Sequence, residues 1–176
     1  MERVKNVLWV CFGNTARSAY ALGISEWLKK TKYKEELKSI TFDSTGFVNV
    51  FKTAQPEVIE RLKAKEIDFT SFRGKIMDEK LLEKQDLILV MESMHLKRLR
   101  KKFASVKDID KKSYLMLEFA GETENLDITD PVNFNKEIYD QILDAVERGV
   151  FRSIEKIIEI NKSAIAERTS GSSLDL

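Results

Sequence analysis

The chain holds a single cysteine, Cys11, and a single histidine, His95. One cysteine excludes an intrachain disulfide and any zinc site built from several thiolates. One histidine makes a Ser-His-Asp triad a poor reading. A dominant charge is missing as well: 30 basic residues stand against 29 acidic ones, a net charge of +1. No global field therefore draws the protein to nucleic acid or to a membrane surface. No apolar run approaches the roughly 18–20 residues that span a bilayer. The N-terminus also lacks the apolar core of a signal peptide. The expected location is the cytoplasm, with neither nucleic acid nor membrane as a partner. Repeats and linkers are absent too.

What is present reads as one α/β domain. The 176 residues are 43% hydrophobic and 34% charged, the balance of an ordinary globular domain with its own core. Val4 to Val10 is a short apolar run of the kind found in buried parallel strands. A helix is predicted to follow through Lys30, with Ala21, Ile24, Trp27 and Leu28 on one face. A strand is predicted at Ile40 to Ser44, and Pro56 suits the first turn of a helix that turns Val58, Ile59 and Leu62 inward. Asp86 to Met91 is predicted as a central strand. The basic run Lys97-Arg98-Leu99-Arg100-Lys101-Lys102 follows as a solvated helix face. Tyr114 to Phe119 is predicted as the last strand. The longest helix is predicted from Asn135 to Asn161, with Ile138, Ile142, Leu143, Val146, Val150, Ile154, Ile157 and Ile158 at helical period. The domain is expected over residues 1–165, with a frayed tail over 166–176. Strands alternating with helices imply an open, mostly parallel four-stranded sheet with helices on both faces.

Cys11 stands where the first strand turns into the first helix, the end of a parallel sheet at which ligands bind. The segment Cys11-Phe12-Gly13-Asn14-Thr15-Ala16-Arg17-Ser18 puts a thiol and a guanidinium at the two ends of a tight loop. Backbone N–H groups of such a loop, with the following helix N-terminus, form a concave site for an anion. Arg17 can take two phosphate oxygens in a fork. The same positive setting favours a thiolate, so Cys11 is the candidate nucleophile. Ser18 is placed to donate a hydrogen bond to its sulfur. Gly13 permits backbone angles barred to other residues, and Asn14 tolerates the left-handed region. No Gly-Lys-Ser/Thr ending follows Gly13, which excludes a lysine-type phosphate loop. A lone Cys and Arg at this spacing also occur in inert, buried settings. The surrounding strand, loop and helix, with Gly13, Asn14 and Ser18, favour chemistry.

These residues resemble the signature of the low-molecular-weight protein tyrosine phosphatases. Asp43-Ser44-Thr45-Gly46 is similar to that family's Ser-Ala-Gly segment, whose serine helps order the phosphate loop. Asp86 to Met91 with Glu92 is similar to its central strand ending in Met-Asp. Asp127-Ile128-Thr129-Asp130-Pro131 resembles its Asp-Pro loop. The resemblance runs in order over residues 4–160. It implies Cys11 as nucleophile, Arg17 as phosphate clamp and Asp130 as general acid, with Phe12 to Ser18 cradling the phosphate. Asn14, Ser18 and Ser44 would support that loop. A leaving oxygen needs a proton, and a neighbouring phosphate dianion disfavours a second negative charge on a carboxyl. Asp127 fits those physical demands as well, and only the family pattern prefers Asp130.

The chain also departs from that pattern. Ala16 stands where a second cysteine is common, and Phe72 where a histidine is common before Arg73. Val132-Asn133, with Phe134 next, replaces an aromatic pair, and the segment after Gly46 is short. Phe47 and Phe51 are candidates for an aromatic wall or for core. The implied substrate is a phosphorylated protein carrying phosphotyrosine, with phosphate or vanadate as further ligands and no metal or organic cofactor. Arsenate reductases share the implied fold but need further cysteines. A branch that dephosphorylates arginine has Thr at the position of Thr15, which keeps phosphoarginine open as an alternative. An inert phosphate-binding module is the non-enzymatic alternative.

Overall fold

The computed structural model describes residues 3–171. The strands are β1 (Asn6–Cys11), β2 (Thr41–Gly46), β3 (Leu87–Val90) and β4 (Ser113–Leu115). The helices are α1 (Arg17–Lys30), α2 (Lys34–Leu37), α3 (Pro56–Lys63) and α4 (Glu79–Glu83). They continue with α5 (Ser93–Lys102), α6 (Ile109–Lys112), α7 (Met116–Phe119) and α8 (Lys136–Gly171). The sheet is wholly parallel with strand order β2-β1-β3-β4. Chain direction through the sheet reverses at β1: the chain moves to β2 on one side, then crosses to β3 on the other. The C-terminal end of β1 is therefore the switch point at which ligands bind in open α/β sheets. Cys11 pairs there with Gly46 at the end of β2.

The apolar run of β1 divides by alternation, because successive strand side chains point to opposite faces. Val7, Trp9 and Cys11 join a core with α1, α3 and α8. Leu8 and Val10 join a second core with Leu82 of α4 and Leu96 and Leu99 of α5. Each face of the sheet is thus covered by helices. Lys97, Arg98, Lys101 and Lys102 of α5 are exposed while Leu99 is buried, so the basic run is a solvated face over an apolar anchor. Among the described residues no helix is long and apolar enough to cross a membrane.

Three expectations are corrected. The last strand is only Ser113–Leu115, and the residues after it form a helical turn, Met116–Phe119. That turn buries Met116, Leu117 and Phe119 in one core, which an alternating strand would have split between two faces. On α8, Ile138 lies exposed and Tyr139 takes the buried position. Asn135 Oδ1 accepts from Ile138 N at 3.0 Å and so caps the helix start. The same helix continues ten residues past Asn161, to Gly171. Once a helix is nucleated, each further residue adds its own hydrogen bond without needing a core. The expected boundary at 165 therefore falls inside continuous helix, and residues 172–176 lie outside the described residues.

Tyr20 joins the helices that cover the larger core. It is fully buried on α1, donates its hydroxyl to Glu147 of α8 and accepts from Arg61 Nε of α3 at 2.9 Å. Arg61 also reaches Asp144 and the Asp140 carbonyl of α8. Burial, with Glu147, holds the Tyr20 phenol above its ordinary range, so the hydroxyl keeps its proton. Tyr20→Phe should lower the free energy of unfolding by about 1–2 kcal/mol, the scale of a buried hydrogen bond lost with a charged partner. The urea midpoint measures this, and an unchanged midpoint would show that the hydroxyl adds nothing.

Candidate active site

The loop after β1 is built around Asn14. Asn14 is the loop residue in the left-handed region, at φ 53°, and Gly13 is not. The expectation for Asn14 matches the backbone, while the conformational freedom expected to matter at Gly13 goes unused. The Asn14 side chain is buried and uses both ends. Its Nδ2 donates to Ser18 Oγ and to Ser44 Oγ, each at 2.9 Å, and its Oδ1 accepts from Lys75 N at 2.9 Å. Ser18 Oγ lies 2.9 Å from Cys11 Sγ and 3.5 Å from the Thr45 carbonyl. The Ser18 oxygen accepts from Asn14, and its own hydrogen has the sulfur at 2.9 Å and the Thr45 carbonyl at 3.5 Å as acceptors, the sulfur being the nearer. Ser44 is tied to the loop through Asn14, as a supporting residue would be.

The loop rests on two glycines. A Cβ at Gly46 would lie 2.6 Å from the Phe12 carbonyl oxygen and 2.8 Å from Asn14 N, both backbone atoms that cannot yield. One at Gly74 would lie 2.9 Å from the Asn14 carbonyl oxygen. Phe47 N and Val48 N both donate to the Phe12 carbonyl, at 2.8 and 3.2 Å. Gln55 N donates to the Thr15 carbonyl at 2.9 Å. Helix α1 begins at Arg17 with no side-chain cap and no acidic residue in its first turn. Its first N–H groups thus keep their positive end uncompensated, which suits an anion.

Arg17 is 1% exposed. Its Nη1 pairs with Glu92 and donates to the Ile128 carbonyl at 2.6 Å, and its Nη2 donates to Asp130 Oδ2 at 2.7 Å. Burial alone pulls the guanidinium down, but Cys11, Asp130 and Glu92 together reverse that and raise it, so it stays charged. Its Nε is buried without a hydrogen-bond partner. Glu92 sits within 3.5 Å of His95 Nδ1. The His95 ring packs between Phe12 and Phe47, with centroids 5.6 and 5.5 Å away. Burial holds the imidazole below its ordinary range against the pull of Glu92, which keeps it neutral near pH 7.

The two aspartates of the 127–131 loop have separate tasks. Asp127 accepts from Ser93 N at 2.6 Å and from Ser93 Oγ at 2.8 Å, so its carboxylate is used at the start of α5. Asp130 faces Arg17 and lines the same cavity as Cys11. That cavity is about 310 Å³ and has an apolar mouth. Val48, Val50 and Phe51 line it together with Val132, Asn133 and the loop residues Phe12, Gly13, Thr15, Ala16 and Arg17. Phe51 is therefore wall. Phe47 is 5% exposed and belongs to the second core. Phe72 stacks on Phe69 at 4.7 Å. Thr15 Oγ1 lies 3.4 Å from Gln55 Nε2. Among the described residues no group of three or more His, Cys, Asp or Glu side chains is arranged to hold a metal.

The fold thus brings Cys11, Arg17 and Asp130 around one cavity, with Asn14, Ser18 and Ser44 buried behind it. Sequence reading assigned no role to Gly46, Gly74 or Glu92. Gly46 and Glu92 stood inside quoted motifs, but their work depends on contacts with segments remote in sequence.

A family model described as low molecular weight phosphotyrosine protein phosphatase matches residues 6–163. The chain is 25% identical over 148 residues to a probable low molecular weight protein-tyrosine-phosphatase, EpsP, of Ralstonia nicotianae. That match covers 84% of this chain and 92% of the relative. Among solved structures it is similar to the low molecular weight protein tyrosine phosphatase from T. tengcongensis. The TM-score is 0.72 at 30% identity, covering 86% of this chain and 99% of that one. It is also similar in fold to the YwlE arginine phosphatase from Geobacillus stearothermophilus. There the TM-score is 0.73 at 24% identity, covering 87% of this chain and 92% of that one.

Gly46→Ala should disturb this loop more than the fold, because the added carbon meets loop backbone. Loss of one charge-assisted hydrogen bond, about 1.5–3 kcal/mol, corresponds to roughly ten- to a hundredfold weaker vanadate binding. Calorimetric titration measures it. Wild-type affinity in the variant would mean that the loop does not depend on this close approach.

Proposed function

The chain belongs to the low molecular weight phosphotyrosine protein phosphatase family, and on that premise we propose that it hydrolyses phosphotyrosine in proteins with Cys11 as nucleophile, Arg17 as phosphate clamp and Asp130 as general acid. The chain is a phosphomonoester hydrolase. The observation that carries the residue roles is the convergence of Cys11, Arg17 and Asp130 on one cavity beside an uncapped helix N-terminus.

The cysteine sulfur attacks phosphorus, and the bond from phosphorus to the leaving oxygen breaks. Asp130 gives its proton to that oxygen. Water then attacks the phosphocysteine and passes a proton to Asp130. The S–P bond breaks, inorganic phosphate leaves and the thiolate returns, steadied by the Ser18 hydroxyl 2.9 Å away. Arg17 is suited to the clamp by the division of its donors. Nη1 is anchored by Glu92 and Ile128, whereas Nε has no partner and Nη2 holds only Asp130. A phosphate that takes Nε and Nη2 as a fork releases Asp130 from its ion pair and leaves it beside the leaving oxygen. Backbone N–H groups and the guanidinium balance the developing charge, so the reaction written this way calls for no metal or organic cofactor. The substrate is taken to be a phosphorylated protein of the cytoplasm, with phosphate and vanadate as competing ligands.

Thr15 supports a second reading. It lines the cavity, and its hydroxyl accepts from Gln55 Nε2 at 3.4 Å. A threonine at this position can hydrogen-bond or orient water where a bulkier aliphatic side chain would shield the site, which favours phosphoarginine. Turnover of phosphotyrosine and phosphoarginine peptides measured side by side separates the two. A kcat/KM higher for phosphoarginine would replace the first reading.

The acid role is checked with leaving groups. Asp130→Asn should lower kcat by roughly 10²–10⁴-fold on aryl phosphates whose leaving group needs a proton. The loss should shrink as the leaving-group pKa falls. An equal loss across the series would move the acid elsewhere, and Asp127→Asn is the comparison, expected to affect stability through Ser93 instead.

A further inference from the structure

The wall formed by Val50 and Phe51 ends in an arrangement that the hydrolytic chemistry does not use. Lys52 follows Phe51 directly and sits in the left-handed region at φ 61°, an uncommon and strained conformation for a residue with a long side chain. Three hydrogen bonds hold it there. Asn49 Oδ1 accepts from Lys52 N at 3.1 Å, Asn49 Nδ2 donates to the Gly74 carbonyl at 2.6 Å, and Gly74 N donates to the Lys52 carbonyl at 2.7 Å. The result sets Lys52 beside Arg73, the residue preceding Gly74. Both side chains are exposed.

Two basic residues thus stand on segments joined by a backbone hydrogen bond, and among the described residues neither has a carboxylate partner. Lys75, nearby in sequence, does: its Nζ lies 2.6 Å from Asp43. Arg73 uses Nη1 on the Thr70 and Phe72 carbonyls, at 3.2 and 2.8 Å. Its Nε and Nη2, an edge that can fork onto a carboxylate, are left for another partner. The cavity wall next to the pair, Val48, Val50 and Phe51, carries no charge, and the carboxylate lining the cavity is Asp130 itself.

From this we infer that Lys52 and Arg73 form a subsite for acidic side chains flanking the phosphorylated residue, so that the enzyme selects phosphoproteins whose target residue lies in a Glu- or Asp-rich segment. The inference rests on the phosphatase reading above and adds the class of sequence around the target. The phosphoryl group enters the loop at Cys11, the apolar wall covers the side chain that bears it, and the chain leaving over Phe51 meets two unneutralised cations.

The test uses two phosphotyrosine peptides that differ only in Glu or Gln at the flanking positions, with p-nitrophenyl phosphate as a substrate that has no flanks. Wild type should favour the Glu peptide by about three- to tenfold in kcat/KM, the scale of two exposed ion pairs, and the preference should fade as salt is raised. A Lys52→Asn, Arg73→Gln double variant should treat the peptides alike, while its p-nitrophenyl phosphate kcat/KM stays at the wild-type value. Asparagine is chosen because it tolerates the left-handed backbone. Equal use of the two peptides by wild type, or a preference that survives in the variant, overturns the inference while leaving the phosphatase reading in place. Failure of wild type to hydrolyse p-nitrophenyl phosphate overturns the phosphatase reading and the inference with it.

Discussion

Arg17 carries a full positive charge where only 1% of its surface meets water. An unpaired ion so placed would be unfavourable by several kcal/mol, and the surrounding chain is arranged around preventing that. Glu92 reaches it from the end of β3, and Asp130 and the Ile128 carbonyl reach it from the 127–131 loop. Ile128 N in turn donates to the Met91 carbonyl at 2.8 Å. One guanidinium therefore joins the loop after β1, the end of β3 and the segment that carries the proposed acid. The same pairing that makes the buried charge tolerable also holds Asp130, the proposed acid, beside Arg17, the proposed clamp, at the cavity that Cys11 lines. It leaves Nε without a partner, and the anchoring through Nη1 to Glu92 and Ile128 would persist if phosphate took Nε and Nη2 in the proposed fork.

Much of this is legible in the sequence, for a physical reason. The run Val7 to Val10, the tight loop and the helical period after Arg17 are local patterns, and local patterns are what a sequence exposes. Asn14 was recognised as fit for a left-handed angle because few residues tolerate it. The remaining features depend on long-range contacts. Gly46 matters through its approach to Phe12 and Asn14, more than thirty positions away in sequence. Glu92 matters through Arg17. The residues after Leu115 read as strand because they are apolar, yet α8 offered one face to bury Met116, Leu117 and Phe119 together. Periodicity over so short a stretch could not tell these outcomes apart. Asp127 and Asp130 were inseparable by residue type, and the contacts with Ser93 and Arg17 distinguish them.

Apart from Ala16 in the loop and Phe72, which stacks on Phe69, the departures from the family pattern lie among the residues lining the cavity beyond the loop. Val132 and Asn133 line the cavity where an aromatic pair is common, and Val50 and Phe51 line it from the segment held by Asn49. In the proposed mechanism these residues would meet whatever carries the phosphoryl group, whereas the loop would hold the group itself. A chain can thus keep one phosphoryl-transfer site and change its substrates by altering the rim, since affinity for the common group and selection among its carriers arise from separate contacts.

The central claim is that phosphate passes through a covalent bond to Cys11. Rapid acid quenching of the wild-type enzyme during turnover of an aryl phosphate, followed by peptide mass analysis, tests it most directly. The account predicts one phosphoryl group on the peptide that contains Cys11, carried on sulfur, and no catalytic turnover by the Cys11→Ser protein. Phosphate bound to another residue, or wild-type turnover by the Cys11→Ser protein, would contradict it.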